Sequence, residues 1–163
     1  MLTRVGFRAM TGMILAAALA AAPAYAQEVG PGGGAAKVDQ LMKASGYDFS
    51  RKTDSVWVQD FTGKNLKNFR LVVAIQDDVL VTFVTVAAKK RMPVNTAFMV
   101  KLLRYNSTLD RVKIGYDDDG DLFVRCDASV RVLDAKEFHS IVDQVSAASD
   151  EVYKGIAEYL NEE

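Results

Sequence analysis

The chain has 163 residues, the length of one domain that can bury a core without metal or disulfide cross-links. Its 20 basic and 21 acidic residues give a net charge of −1 at pH 7. This mixed balance argues against nucleic acid as the main partner. Cys126 is the only cysteine, so an internal disulfide is excluded.

The first 26 residues have the pattern of a bacterial secretory signal. Arg4 and Arg8 precede an alanine-rich apolar run at residues 10–22, which is too short to cross a bilayer. Ala24-Tyr25-Ala26 is the small-x-small motif that a signal peptidase cleaves. We therefore expect cleavage near Ala26 and a periplasmic or secreted mature chain that has no transmembrane segment. Its net charge would be about −3, because the signal carries two basic residues and no acidic ones.

A glycine-rich segment separates this signal from the rest of the chain. Residues 27–36 include Gly30-Pro31-Gly32-Gly33-Gly34, which predicts a flexible linker and leaves residues 37–163 as the folded domain. Leu41 and Met42 follow Val38 at three and four residues, and this spacing predicts a short helix that ends at Gly46.

The middle of the chain has the period of strands. Apolar alternation predicts three strands at residues 55–61, 69–76 and 79–87, separated by turn residues. Two further strands, residues 111–117 and 121–128, flank an Asp-Gly turn that is typical of a hairpin.

Two more helices complete the pattern. Residues 94–106 carry Phe98, Leu102 and Tyr105 or Leu103 on one stripe, with Asn106 as the C-terminal cap. A D-x-x-E capping box at residues 134–137 begins a long amphipathic helix that runs to the end of the chain. The order α-β-β-β-α-β-β-α predicts an α+β domain with a five-stranded, mostly antiparallel sheet and three helices.

Three segments carry a resemblance to a known family. They are Leu102-Leu103-Arg104-Tyr105-Asn106, the acidic hairpin around Asp117-Asp118-Asp119-Gly120-Asp121, and the long helix after Ala135-Lys136-Glu137. With them, residues 37–161 resemble the YbjN family of bacterial proteins, whose fold is shared with the type III secretion chaperones. The resemblance implies a sensory-transduction regulator, or a small dimeric chaperone that holds extended client segments. It supplies no catalytic residue, and the export signal sets this chain apart from the cytoplasmic chaperones.

The residues that could bind a metal or act in catalysis are better explained by structural roles. If Gly120 took the sixth position of a calcium loop, Gly115 and Cys126 would fall on the two end positions, where carboxylates are needed. The acidic run at residues 117–121 is therefore interpreted as a turn rather than a metal site. His139 is the only histidine, which excludes a two-histidine metal site and favours a surface position. Cys126 alternates with Leu122 and Val124, so a buried thiol is favoured over a redox thiol.

Two short motifs each allow a functional and a structural interpretation. Lys89-Lys90-Arg91 would suit an anionic partner, but a solvated loop is the more usual case. Asn106-Ser107-Thr108 matches the glycosylation pattern, whereas a helix cap and turn are favoured in a bacterial protein. We expect no cofactor, no metal and no enzymatic activity, because the lone histidine and lone cysteine lie on separate elements.

The strands carry the main functional hypothesis, because both of their faces are apolar and only three helices are available to cover them. Either the helices divide between the two faces, or an apolar strip is left for a second copy or a client. The second alternative predicts a protein-binding surface at Phe69, Leu71, Val81 and Phe83, with backbone pairing at an exposed strand edge.

This hypothesis makes the chain a non-enzymatic, exported protein-binding or chaperone-like module whose protein partner is unidentified, with a homodimer as one form. The alternative is a regulatory or signalling accessory protein that binds a folded envelope partner.

Overall fold

The structure is a computed structural model that describes residues 33–93 and 95–161. The predicted signal and residues 27–32 of the predicted linker lie outside these ranges. The helices of the described residues are α1 (Gly33–Ser45), α2 (Thr96–Thr108) and α3 (Ala135–Ile156). The strands are β1 (Ser50–Thr53), β2 (Val56–Phe61), β3 (Phe69–Gln76), β4 (Val79–Ala87), β5 (Lys113–Tyr116) and β6 (Leu122–Ser129).

The strands form one antiparallel sheet in the order β1-β2-β3-β4-β6-β5. It has six strands, so the prediction of five was wrong by one. The missing strand is β1, which pairs Ser50 with Val58 and Arg51 with Trp57. All four of its side chains are exposed, so its sequence has no apolar alternation that could have revealed it.

The connection after β4 decides which strands form the edges. The chain leaves β4 through α2, enters β5 at the far edge, and returns through β6, which pairs with β4. As a result β1 and β5 are the two edge strands, and β2, β3, β4 and β6 lie inside the sheet.

All three helices contribute to one hydrophobic core on a single face of the sheet. Cross-strand pairing of Leu71 with Val84, and of Val84 with Val124, places these side chains on that face. Phe98 of α2 and Phe138 of α3 are fully buried against it. The helices therefore do not divide between the two faces, and the opposite side, called here the outer face, has none of the described helices on it.

The predicted helix caps and boundaries agree with the structure in part. Gly46 follows α1 with a positive φ of 78°, as expected of a glycine that ends a helix. However, α1 begins at Gly33, inside the segment predicted as linker, and α2 continues to Thr108, so Asn106 is not its cap. The Asp134 side chain accepts a hydrogen bond from the Glu137 N–H at 2.7 Å, which confirms the N-cap of α3.

Candidate protein-binding surfaces

Most of the large apolar side chains that the described residues leave exposed lie together on α2 and β5. The exposed fractions are 43% for Met99, 42% for Val100, 66% for Leu103 and 39% for Tyr116. The Tyr116 hydroxyl donates a hydrogen bond to the Met99 sulfur at 3.4 Å, which joins the helix to the strand. We call these four residues the helical surface.

The sequence of α2 already indicated that more than one side of this helix is apolar. Helix α2 buries only Phe98 and Leu102, although Met99, Val100 and Leu103 are also apolar. A helix that is apolar on most of its circumference is usually covered on more than one side. Sequence reasoning placed Leu103 or Tyr105 on the buried stripe, and the structure decides between them: Tyr105 is half-buried, and Leu103 faces solvent.

The helix is held rigidly enough to present these side chains. Its N-cap, Asn95, accepts a hydrogen bond from the Phe98 N–H at 2.9 Å. The Phe98 ring also packs on Tyr159, with ring centroids 5.8 Å apart. Anchoring at the core leaves the outward side of α2 as a preformed surface, which lowers the entropic cost of binding.

A second apolar surface lies on the outer face of the sheet. Val81 pairs with Ala74, and Phe83 pairs with Val72, and these positions point away from the helices. Val81 and Phe83 are only 1% and 3% exposed, so they form the floor of this face. Apolar side chains around them are partly exposed; they are Val56, Val58, Val72 and Phe123.

Charged side chains border this floor. Arg125 is the cross-strand partner of Phe83, and Asp127 is the partner of Val81. Asp127 accepts hydrogen bonds from both Arg125 and Lys113. Burial alone would raise the pKa of Asp127, but the two cations lower that pKa below its usual value and keep the carboxylate ionised.

The structure divides the four residues that were predicted to bind a partner. Phe69 and Leu71 lie on the helix-facing side, buried in the core, where a partner does not reach them in this fold. Val81 and Phe83 lie on the opposite side of the sheet. The four therefore form no common strip, because β3 and β4 pair in a register that turns odd positions of β3 and odd positions of β4 to opposite faces.

The two edges of the sheet differ. At β5, the side-chain amide of Asn106 forms hydrogen bonds with both backbone groups of Ile114. At β1, the Arg51 guanidinium binds the carbonyl oxygens of Thr53 and Asp54 at 3.0 and 2.8 Å. Charged residues on a short strand are a common protection of an open edge. Among the described strands, none pairs with the outer side of β1, so its backbone remains the unpaired edge.

The acidic run forms a hairpin turn. The Asp117 carboxylate accepts a hydrogen bond from the Asp121 N–H at 2.8 Å. Asp121 in turn accepts one from the Lys89 N–H at 2.8 Å, which ties the turn to the Lys89–Arg91 segment. Within the described ranges, no group of three or more acidic, histidine or cysteine side chains is arranged to hold a metal ion.

The contacts of His139 and Cys126 favour structural roles for both residues. His139 stacks on Tyr47 with ring centroids 5.0 Å apart, and its Nε2 lies 3.3 Å from the Asp143 carboxylate. Cys126 is buried opposite Thr82, and burial raises the pKa of its thiol. A buried thiol with a raised pKa is a poor nucleophile.

In the described part of the chain, no helix is both long and apolar enough to span a membrane.

Comparison with known proteins agrees with this fold. The model of the YbjN family, described as "Putative bacterial sensory transduction regulator", matches residues 35–158. The chain is similar to the crystal structure of YbjN from E. coli, with a TM-score of 0.57 and 16% identity over 78% of this chain and 95% of that one. No curated protein sequence is similar enough to count as a match.

Two similar structures are complexes of a protein with its partner. One is the heterodimeric ExoU–SpcU complex from the type III secretion system of Pseudomonas aeruginosa, with a TM-score of 0.53 and 18% identity over 76% of this chain and 98% of that one. The other is the ExsC–ExsE complex, with a TM-score of 0.55 and 10% identity over 74% of this chain and 93% of that one. At these identities the likeness establishes the α+β fold that type III secretion chaperones share.

Proposed function

We propose that this chain, which belongs to the YbjN family, is a protein-binding module that acts without catalysis. The observation that carries the proposal is the helical surface, where Met99, Val100, Leu103 and Tyr116 leave apolar area in water beside one another. Exposed apolar patches on a small domain mark interaction sites. The protein complexes among the similar structures support the same kind of function.

The helical surface offers the kind of side chains that form the centre of an interface. A specific interface buries roughly 800 Å² on each partner, with a few large side chains supplying most of the free energy. Burial of apolar area contributes about 25 cal/mol per Å². Three large side chains on α2 and one on β5 would therefore form the central cluster, and the polar residues around them would form the rim.

The mode of binding that we propose is chaperone-like. An extended client would place apolar side chains on an exposed surface and pair its backbone with the free edge of β1. The strand order supports this, because none of the described strands pairs with the outer side of β1. A second copy of the chain is the simplest occupant of the helical surface, which would make the protein a homodimer. The alternative is a regulatory accessory protein with one folded envelope partner.

The proposal places the protein outside the cytoplasm. Its support is the sequence pattern of residues 1–26, with two arginines, an apolar run and the Ala24-Tyr25-Ala26 motif. N-terminal mass spectrometry of the protein recovered from a periplasmic fraction should give a chain that starts at or near Gln27. Recovery of the intact chain from the cytoplasm alone would contradict export.

The experiment that tests the function compares Leu103→Asp with Val132→Asp. Both place a carboxylate on an exposed apolar position, but Val132, 78% exposed, lies outside the helical surface. Leu103→Asp should lower the mass measured by light scattering, or lose the protein captured from a periplasmic extract, while the unfolding midpoint stays unchanged.

The measured mass and the captured proteins together distinguish the three possible occupants of the surface. A halved mass identifies a second copy, a single stoichiometric protein identifies a folded partner, and a spread of unfolded proteins identifies chaperone-like binding. Equal mass and equal capture for wild type, Leu103→Asp and Val132→Asp would refute a role for the helical surface.

A further inference from the structure

A groove lies beside the helical surface, between α2 and the 3₁₀ turn Ala157–Tyr159 that follows α3. Its volume is about 680 Å³. Its lining combines apolar, aromatic and cationic side chains: Ala97, Val100, Tyr105, Tyr159, Lys101 and Arg104. Val100 belongs to both the groove and the helical surface, so the two are continuous.

The walls of the groove are set by packing. The Tyr105 hydroxyl lies against Gly155 of α3, where any side chain would overlap it. On the opposite side, Tyr159 packs on the buried ring of Phe98. Both aromatic walls are therefore held by contacts with the core, and the space between them exists before anything binds.

The groove carries two cations, Lys101 and Arg104, and the described residues pair only Lys101 with a carboxylate. Arg104 is exposed and forms no ion pair within the described part of the chain. Lys101 lies 3.4 Å from Glu158, whose side chain is 71% exposed, and 5.3 Å from the ring centroid of Tyr159. A solvent-exposed pair of this length contributes little free energy, so Lys101 remains available to a second carboxylate.

We propose that this groove binds an acidic segment of a partner protein, one in which carboxylate and apolar side chains alternate. The carboxylates would meet Arg104 and Lys101, and the apolar side chains would pack on Val100 and the two tyrosine rings. The inference rests on the proposed protein-binding function and adds the chemistry of the partner. Charge complementarity selects an acidic segment, because like charges across an interface are strongly disfavoured.

The test uses the purified chain and a short fluorescein-labelled peptide of alternating glutamate and leucine, with a lysine-leucine peptide for comparison. Fluorescence anisotropy should show binding of the glutamate peptide that weakens as salt is added, since exposed charges are screened. The lysine peptide should bind at least about tenfold more weakly.

Two variants locate the site. Arg104→Glu should weaken binding of the glutamate peptide at least about tenfold. Arg131→Glu makes the same charge change at an exposed residue of a different turn, and it should leave the affinity unchanged. Equal affinity of wild type and Arg104→Glu for the glutamate peptide, or equal binding of the two peptides by wild type, would overturn the acidic-segment proposal.

These outcomes are separate from those of the proposed function. Loss of partner capture in Leu103→Asp, with no effect of Arg104→Glu on the peptide, would retain the protein-binding module and remove the groove. Peptide binding that depends on Arg104, with no effect of Leu103→Asp on mass or capture, would retain the groove and remove the helical surface.

Discussion

Asn106 at the end of α2 pairs with both backbone groups of Ile114 on β5. The Ile114 N–H donates to Asn106 Oδ1 at 2.7 Å, and Asn106 Nδ2 donates to the Ile114 carbonyl at 3.0 Å. The amide therefore occupies the place that a neighbouring strand would take. This pairing blocks one edge of the sheet and leaves β1 as the edge open to an extended segment.

Replacing Asn106 with alanine should therefore have two effects. Loss of both hydrogen bonds should lower the free energy of unfolding by about 1–2 kcal/mol, measured by urea denaturation. The freed backbone of Ile114 should also promote association, visible as a larger mass in light scattering. Ser107→Ala, the adjacent exposed position, is the control. Equal stability and equal mass for Asn106→Ala and wild type would show that the pairing contributes nothing.

The outer face of the sheet can be tested by mutation only at a residue that is not buried in its floor. Phe83→Asp should unfold the domain, because a carboxylate would replace an apolar ring at a site that is only 3% exposed. Val72→Asp is the informative change, because Val72 pairs with Phe83 but is partly exposed.

If the outer face binds a partner, Val72→Asp should weaken capture from a periplasmic extract while thermal unfolding remains cooperative. The control is Val132→Asp, which adds the same charge at a 78% exposed position in the 3₁₀ turn after β6 rather than on the sheet. Undiminished capture by Val72→Asp would exclude the outer face from binding.

Asp150 on α3 holds the loop between β2 and β3. Its carboxylate accepts hydrogen bonds from the N–H groups of Asn65 and Leu66 at 2.7 and 2.8 Å, and from the Asn65 amide at 2.7 Å. Asp150→Ala should lower the free energy of unfolding by about 1–3 kcal/mol. Glu151→Ala, at the next position of the same helix, should have little effect on a urea titration.

The same contacts predict a dependence on pH. Burial alone would raise the pKa of Asp150, but the hydrogen bonds from Asn65 and Leu66 lower it below its usual value. The stabilisation is therefore complete above the unfolded pKa of about 3.9 and is lost as the pH falls through the lower folded pKa. The stability difference between wild type and Asp150→Ala should shrink over that acid range. A difference independent of pH would contradict this assignment.

The Tyr47 hydroxyl should make the stability of the fold decrease as the pH rises in the alkaline range. Burial and a hydrogen bond to Asp143 raise the pKa of the Tyr47 hydroxyl from 10.0 to about 12. Because the folded pKa is the higher one, the stabilisation is fully present below pH 10.0 and is lost as the pH rises toward about 12.

Tyr47→Phe should be less stable than wild type at neutral pH, and urea midpoints measured between neutral and alkaline pH should converge. Tyr153→Phe, on the same side of the core, is the control. Parallel pH profiles for wild type and Tyr47→Phe would refute the role of this hydroxyl.

Thr82 offers a stabilising change. Its hydroxyl is fully buried opposite Val73 and Cys126 and has no hydrogen-bond partner among the described residues. Thr82→Val keeps the shape and removes the unsatisfied group, so the free energy of unfolding should rise by about 1 kcal/mol. Thr85→Val, exposed on the same strand, should change it little. A lower urea midpoint for Thr82→Val would show that the hydroxyl has a partner after all.

The sequence alone was sufficient for the elements whose residues carry their own periodic pattern. The apolar stripe of α3 and its Asp134 cap are local properties, because burial along a helix repeats with the geometry of that helix. Strands β3 and β4 were recognisable from their many β-branched and aromatic residues. The family was predicted from the resemblance of three short segments, and the match over residues 35–158 confirms it.

Only the tertiary structure decided which side of each element is covered. Strand β1 exists because β2 offers it an edge, and Phe69 and Phe83 lie on opposite faces because of a register between two chain segments. The exposure of Leu103 and the pairing of Asn106 with Ile114 depend likewise on where α2 crosses β5. Periodicity identifies an apolar side, but the residues that cover that side come from distant parts of the chain, so their positions are set by packing rather than by local sequence.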